Sequence, residues 1–194
     1  MKFLIALSIA ACVLAPSASA DTSVDVRVGT AGFEFGFLYS DYYDANERVV
    51  REHTEWLSES DFVVALHLAR LSGRDLDLLV EWRRGGRSWS DITQRCELTA
   101  DVYRVDLPRD PGPPYGRAWG YWKKHPKKSI ELSDEEIRAF VVLKAMSDFT
   151  RKPAAEIVRL QNAGWTPRKI ANGKVAHEDA AAPSRGQGKK NKKK

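Results

Sequence analysis

The chain has 194 residues, of which 43% are hydrophobic and 29% charged, and a formal net charge of +5. Six positive charges lie in the tail (Arg185, Lys189, Lys190, Lys192, Lys193 and Lys194) and a seventh is Lys2, so the body from Asp21 to Pro183 carries −2. Attraction to nucleic acid or to an anionic membrane is therefore excluded as a property of the whole domain and belongs to the tail.

Residues 1–20 read as a signal peptide. Met1-Lys2 is a minimal charged start, Phe3 to Leu14 is uncharged, Pro16 breaks any helix, and Ala18-Ser19-Ala20 offers small residues before Asp21. Charged tip, short apolar core and A-x-A site form the secretory pattern, and the core is shorter than the roughly 20 residues a bilayer span needs. A lipoprotein-type site at Ile9-Ala10-Ala11-Cys12 is the lesser alternative, since it would shorten that core further. Cleavage after Ala20 leaves Cys96 as the one mature cysteine, so no internal disulfide can form. Cys96 lies in an apolar-periodic stretch and reads first as a buried, inert thiol, with an intermolecular bridge as the sharper reading. The mature protein is expected to be exported, periplasmic or secreted, with no membrane-spanning segment.

Residues 21–56 begin with alternation. Val24, Val26 and Val28 form one run and Phe33, Phe35, Phe37 and Tyr39 another, with Gly29-Thr30-Ala31-Gly32 between them. Period two on both sides of a glycine-bounded loop predicts a small β-hairpin. After Asp44 the period changes, and Val49, Val50, His53, Trp56 and Leu57 recur at helical spacing, which predicts a lead-in helix.

Residues 57–105 and 130–172 carry the same punctuation. Leu57-Ser58-Glu59-Ser60-Asp61-Phe62 and Leu132-Ser133-Asp134-Glu135-Glu136-Ile137 lie 75 positions apart, each with serine three residues before an acid in capping-box order. Leu79 to Gly86 matches Ile157 to Gly164 at 78 positions, and Ser88-Trp89-Ser90-Asp91-Ile92 matches Thr166-Pro167-Arg168-Lys169-Ile170. Glycine closes one helix and Ser or Thr opens the next, once with proline at the first position. The expected fold is mainly α: a duplicated three-helix module packed as one domain.

Residues 106–129 form a connector. Five prolines and three glycines between Asp106 and Lys128 predict no regular structure. Here Tyr115, Trp119, Tyr121 and Trp122 alternate with Arg117, Lys123, Lys124, Lys127 and Lys128. Aromatic faces beside cations suit stacking on bases with phosphate pairing, and equally an acidic glycan or another anionic polymer. The plainer reading, which a long connector favours, is that the rings pin it to the core while the lysines stay in water. Residues 173–194 lack apolar content and are expected to be a disordered basic tail, either solubilising or a tether to an anionic surface.

Ile92 to Val102 resembles the helix-turn-helix of DNA-binding regulators, with Ile92, Leu98 and Val102 at its apolar positions and Thr99 at its second N-cap. Glu97 stands where that family has glycine, and the second module ends at Asn172-Gly173 before a recognition helix. The resemblance implies DNA recognition, which an export signal places poorly, and a three-helix packing unit fits the same residues.

No catalytic set is legible. Asp41, Asp44 and Glu47 fall three apart and could share a cation with His53, but a polar face explains them. Glu52-His53-Thr54-Glu55 lacks the second histidine of a zinc helix. His67 lies on an apolar helix face and reads as a core residue. No phosphate loop, nucleophile elbow or cysteine pair occurs, so no cofactor is expected. The sequence thus points to a non-enzymatic exported binding or scaffolding protein with an anionic envelope partner. A nucleic-acid binder is the alternative, and an extracytoplasmic enzyme or metal protein a remoter one.

Overall fold

In the computed structural model, which describes residues 33–173, the protein is mainly α-helical, and no strand occurs among the described residues. A π-helical turn, Leu38–Tyr42, precedes helices α1 (Glu47–Thr54), α2 (Glu59–Ser72), α3 (Leu76–Arg84) and α4 (Trp89–Arg95). A 3₁₀ turn, Ala100–Tyr103, follows, then α5 (Gly116–Lys124), α6 (Asp134–Thr150), α7 (Ala154–Asn162) and α8 (Pro167–Ala171).

Two long helices make the centre. α2 buries Phe62 through Leu68 without a break, and α6 buries Ile137, Phe140 to Leu143, Ala145 and Met146. A helix that is apolar all round must be covered on every side, and α2 and α6 pack on each other with the remaining helices about them.

The helix ends follow the sequence closely. Ser58 accepts from the Asp61 backbone N–H, Ser88 from that of Asp91, and Thr166 from that of Lys169. Ser133 and Glu136 form a reciprocal capping box, whereas Asp61, one methylene shorter, does not reach back and instead accepts from the Ser58 hydroxyl at 2.8 Å. α3 and α7 are both nine residues long, and each is followed by a glycine in the left-handed region, Gly86 (φ 84°) and Gly164 (φ 80°).

Two expectations fail. The Phe33–Tyr39 half of the hairpin enters a helical turn, in which the Leu38 and Tyr39 backbone N–H groups donate to Phe35 O. Phe35, Leu38, Tyr39 and Tyr42 follow the i, i+3, i+4, i+7 spacing of a helix face, and adjacent Leu38 and Tyr39 are both buried. The Val24–Val28 half, like the expected signal peptide at residues 1–20 and nearly all of the expected tail, lies outside the described residues. The connector is also not irregular throughout, since α5 occupies Gly116–Lys124. Its prolines lie at Pro108 to Pro114 and at Pro126, and none falls within the helix.

Candidate functional site

α5 starts where the proline run ends. Its buried side is Ala118 and Trp122, with Tyr115 just before it, and both rings meet Phe140 of α6 edge-on at centroid distances of 5.2 and 5.3 Å. Burial pushes the Tyr115 hydroxyl up to about 12, so it stays a neutral donor, directed to Gln161 Oε1 at 3.3 Å. Tyr115 and Trp122 are the anchors that the plainer sequence reading expects.

Arg117 projects from the same helix onto the start of α6. Its Nε donates to Glu136 Oε1 at 2.7 Å, and its Nη2 to Glu131 O at 2.9 Å and to Glu136 Oε2. Burial raises the Glu136 carboxyl, but the guanidinium and the Ser133 backbone N–H outweigh it and hold the group below the ordinary glutamate range. Arg117 is therefore committed to Glu136. Tyr121, half-buried, donates to Ser129 O at 3.2 Å and stacks on His125. Lys124, Lys127 and Lys128 are exposed at the end of α5 and in the turn beyond it.

Three of the nine expected residues meet at one groove. Trp119, Trp122 and Lys123 line a cavity of about 540 Å³ whose other wall is the extended segment from Arg104 to Pro108. Trp119 donates its indole N–H to Leu107 O at 2.9 Å, which joins the two walls, and the Lys123 ammonium lies 4.7 Å from the Trp119 ring centroid. Arg104 donates to Pro126 O at 3.1 Å, and Asp106 supplies the one carboxylate of the lining. Among the described residues neither Arg104 nor Lys123 makes an ion pair.

Trp122 is 3% exposed, and its indole N–H has no hydrogen-bond partner among the described residues. A buried donor left without an acceptor costs about 1–3 kcal/mol. Two cations without an ion pair among the described residues, beside one carboxylate, suit a hydroxyl- and carboxylate-bearing ligand. No nucleophile with a base beside it occurs among the residues of this lining.

Sequence reading missed Arg104, Asp106 and Leu107. Their one visible signal is a run of alternating charge just before the prolines, and only the folded chain brings it against α5.

The other candidates disperse. His53 Nε2 lies 2.9 Å from Asp77 Oδ1, Glu47 pairs with Arg51, and Asp41 accepts from Ser40. Among the described residues no group of three or more His, Cys, Asp or Glu is placed to hold a metal ion. The stretch resembling a helix-turn-helix runs from α4 through Glu97, at φ 60°, into the four-residue 3₁₀ turn, where Tyr103 is buried and pairs with Thr93. Cys96 is buried, and burial raises its thiol above the ordinary range. No helix of the described residues is long and apolar enough to cross a membrane.

No protein-family model matches this chain, and no curated protein and no solved structure is significantly similar to it.

Proposed function

We propose that this is a non-enzymatic binding protein whose α5 groove takes an anionic, hydroxylated ligand of the cell envelope. The observation that carries the reading is the meeting of Arg104, Lys123, Trp119 and Trp122 around one cavity of about 540 Å³. That volume lies within the range of small-ligand sites, and its few polar groups converge from two walls, as such sites require. The leader-like pattern of residues 1–20 supports a site of action outside the cytoplasm, and the lysines of residues 189–194 add attraction to an anionic surface.

The helical body that presents the groove is two copies of one module, α2–α4 and α6–α8. The matching caps Ser58 with Ser133 and Ser88 with Thr166, in the same order in each half, the equal lengths of α3 and α7, and the like conformations of Gly86 and Gly164 support this reading. The groove belongs to the insertion between the copies.

Calorimetric titration of the mature protein with trigalacturonate at low salt tests the binding. Saturable binding is expected, weakened about tenfold by Lys123→Ala or by Arg104→Ala, both exposed positions. Absence of binding, or wild-type affinity in both variants, removes the proposal.

A further inference from the structure

The wall that closes the groove has a second side. Leu107 and Pro108 line the α5 groove and also a neighbouring cavity of about 370 Å³, bounded by residues 107–111 and by α7. The polar rim repeats. The α5 groove has Arg104 and Lys123 with Asp106, and the α7 cavity has Arg109 and Arg159 with Asp110. All four cations are exposed, and among the described residues none of them is ion-paired. Leu107 is 6% exposed, so the ridge that divides the two cavities is carried outward by Pro108.

From this repeat we infer that the ligand is a linear acidic glycan lying across the Leu107–Pro108 ridge, with one carboxylated sugar unit in each cavity. The inference rests on the proposed function of the α5 groove and extends it.

Three features select the chemistry. A nucleic acid draws about 1–3 kcal/mol per base from aromatic stacking, and no open ring face is offered. Trp122 and Tyr115 are buried, Lys123 covers Trp119, and the α7 cavity has no aromatic residue in its lining. A densely charged chain such as polyphosphate would bring anionic oxygens against Asp106 and Asp110 at every position. A glycan instead places hydroxyls there, which donate to those carboxylates, while its sparse carboxylates reach the cations. Val105, Leu107 and Pro108 in one lining, and Ala155 and Val158 in the other, offer apolar surface on which a sugar ring packs.

Length dependence tests the two-cavity site. Calorimetry of the mature full chain compares monomeric galacturonate with octagalacturonate. Octagalacturonate is expected to bind at least tenfold tighter, because its further units reach the second cavity at high effective concentration. The double variant Arg109→Ala, Arg159→Ala is expected to remove that gain and leave galacturonate affinity at the α5 groove unchanged. Arg159→Glu alone, read against the circular dichroism of the wild type, should act in the same direction. Equal affinity for the two lengths, or a double variant that binds octagalacturonate as the wild type does, overturns the second cavity while the α5 groove reading stands. Equal or tighter binding of polyglutamate or of a single-stranded oligodeoxynucleotide overturns the glycan. Loss of all binding at both lengths overturns the groove reading with it.

Discussion

Trp89 donates its indole N–H to Asp61 Oδ1 across 2.6 Å, tying the first residue of α4 to the first turn of α2. The same carboxylate receives Arg138 at 3.1 Å and the Ser58 hydroxyl at 2.8 Å. Burial alone would raise the Asp61 carboxyl, and these donors together with Arg83 bring it below the ordinary range. Asp134 completes the cluster: its Oδ1 accepts the Trp89 backbone N–H at 2.7 Å and its Oδ2 accepts Arg83 at 2.5 Å. The first turns of the two central helices are thus clamped by α3 and α4. Asp61→Ala leaves an indole donor and two guanidinium groups without that acceptor. It should cost about 3 kcal/mol, read as a lower urea midpoint at unchanged m-value.

Arg117 and Glu136 make the corresponding connection for α5. Glu136 is 5% exposed, so removing its partner strands a charge away from water. Arg117→Ala should destabilise the fold by about 2–3 kcal/mol, reduced from the fully buried case because Arg117 itself is exposed. Arg117→Ala, Glu136→Gln should recover part of that loss, and a double-mutant cycle in urea measures it.

His67 makes the protein sensitive to mild acid. It is 4% exposed, its Nδ1 lies 3.3 Å from the Tyr43 hydroxyl, its Nε2 has no partner among the described residues, and Tyr103 stacks beside it. Burial first, then the charges of Lys144 and Arg70, lower its pKa to about 4, and Asp148 opposes them. An unfolded histidine ionises near 6.5, so below that pH the unfolded chain binds a proton that the folded chain refuses. Stability is complete above about pH 6.5 and falls as the pH drops towards 4, by about 2 kcal/mol between pH 7 and 5. His67→Leu should flatten that slope. Asp61 and Glu136, whose carboxyls are held low, contribute in the opposite protonation range: their stabilisation persists above the ordinary carboxylate pKa and is lost at still lower pH.

Backbone conformation supplies a stabilising change. Glu97 adopts φ 60°, and its side chain, which pairs with Arg74 at 3.1 Å, is almost wholly exposed. Glu97→Gly should stabilise by about 0.5–1 kcal/mol, since the left-handed region penalises a Cβ and the exposed ion pair adds little. Thermal unfolding followed by circular dichroism checks it.

Much of the fold was legible because helix ends are written in local chemistry. Ser58, Ser88, Ser133 and Thr166 are caps where the residues predict them, and Gly86 and Gly164 occupy the left-handed conformation a helix stop needs. Trp56 was misplaced, since it follows α1 and is 62% exposed with Arg84 on its ring, beyond the buried face of Val50 and His53. α5 is hidden in the sequence because the connector is rich in proline as a whole, although none falls between Tyr115 and His125. Tertiary contacts hold that glycine-containing helix, among them the packing of Ala118 and Trp122 and the Arg117–Glu136 pair. Half of the site was legible as an aromatic-basic run, but the run mixes roles that folding separates. Arg117 turns to Glu136, Tyr115 to the core, and Trp119, Trp122 and Lys123 to a wall that no local pattern announces.

The most direct measurement is a proton–nitrogen correlation spectrum of the mature protein, in which the six tryptophans give indole N–H signals, titrated with trigalacturonate. The Trp119 and Trp122 signals should move furthest, because both rings line the groove, while Trp56, Trp82, Trp89 and Trp165 stay in place. A titration that leaves Trp122 unmoved, or that shifts exposed Trp56 in its stead, would contradict an anion-binding groove at α5.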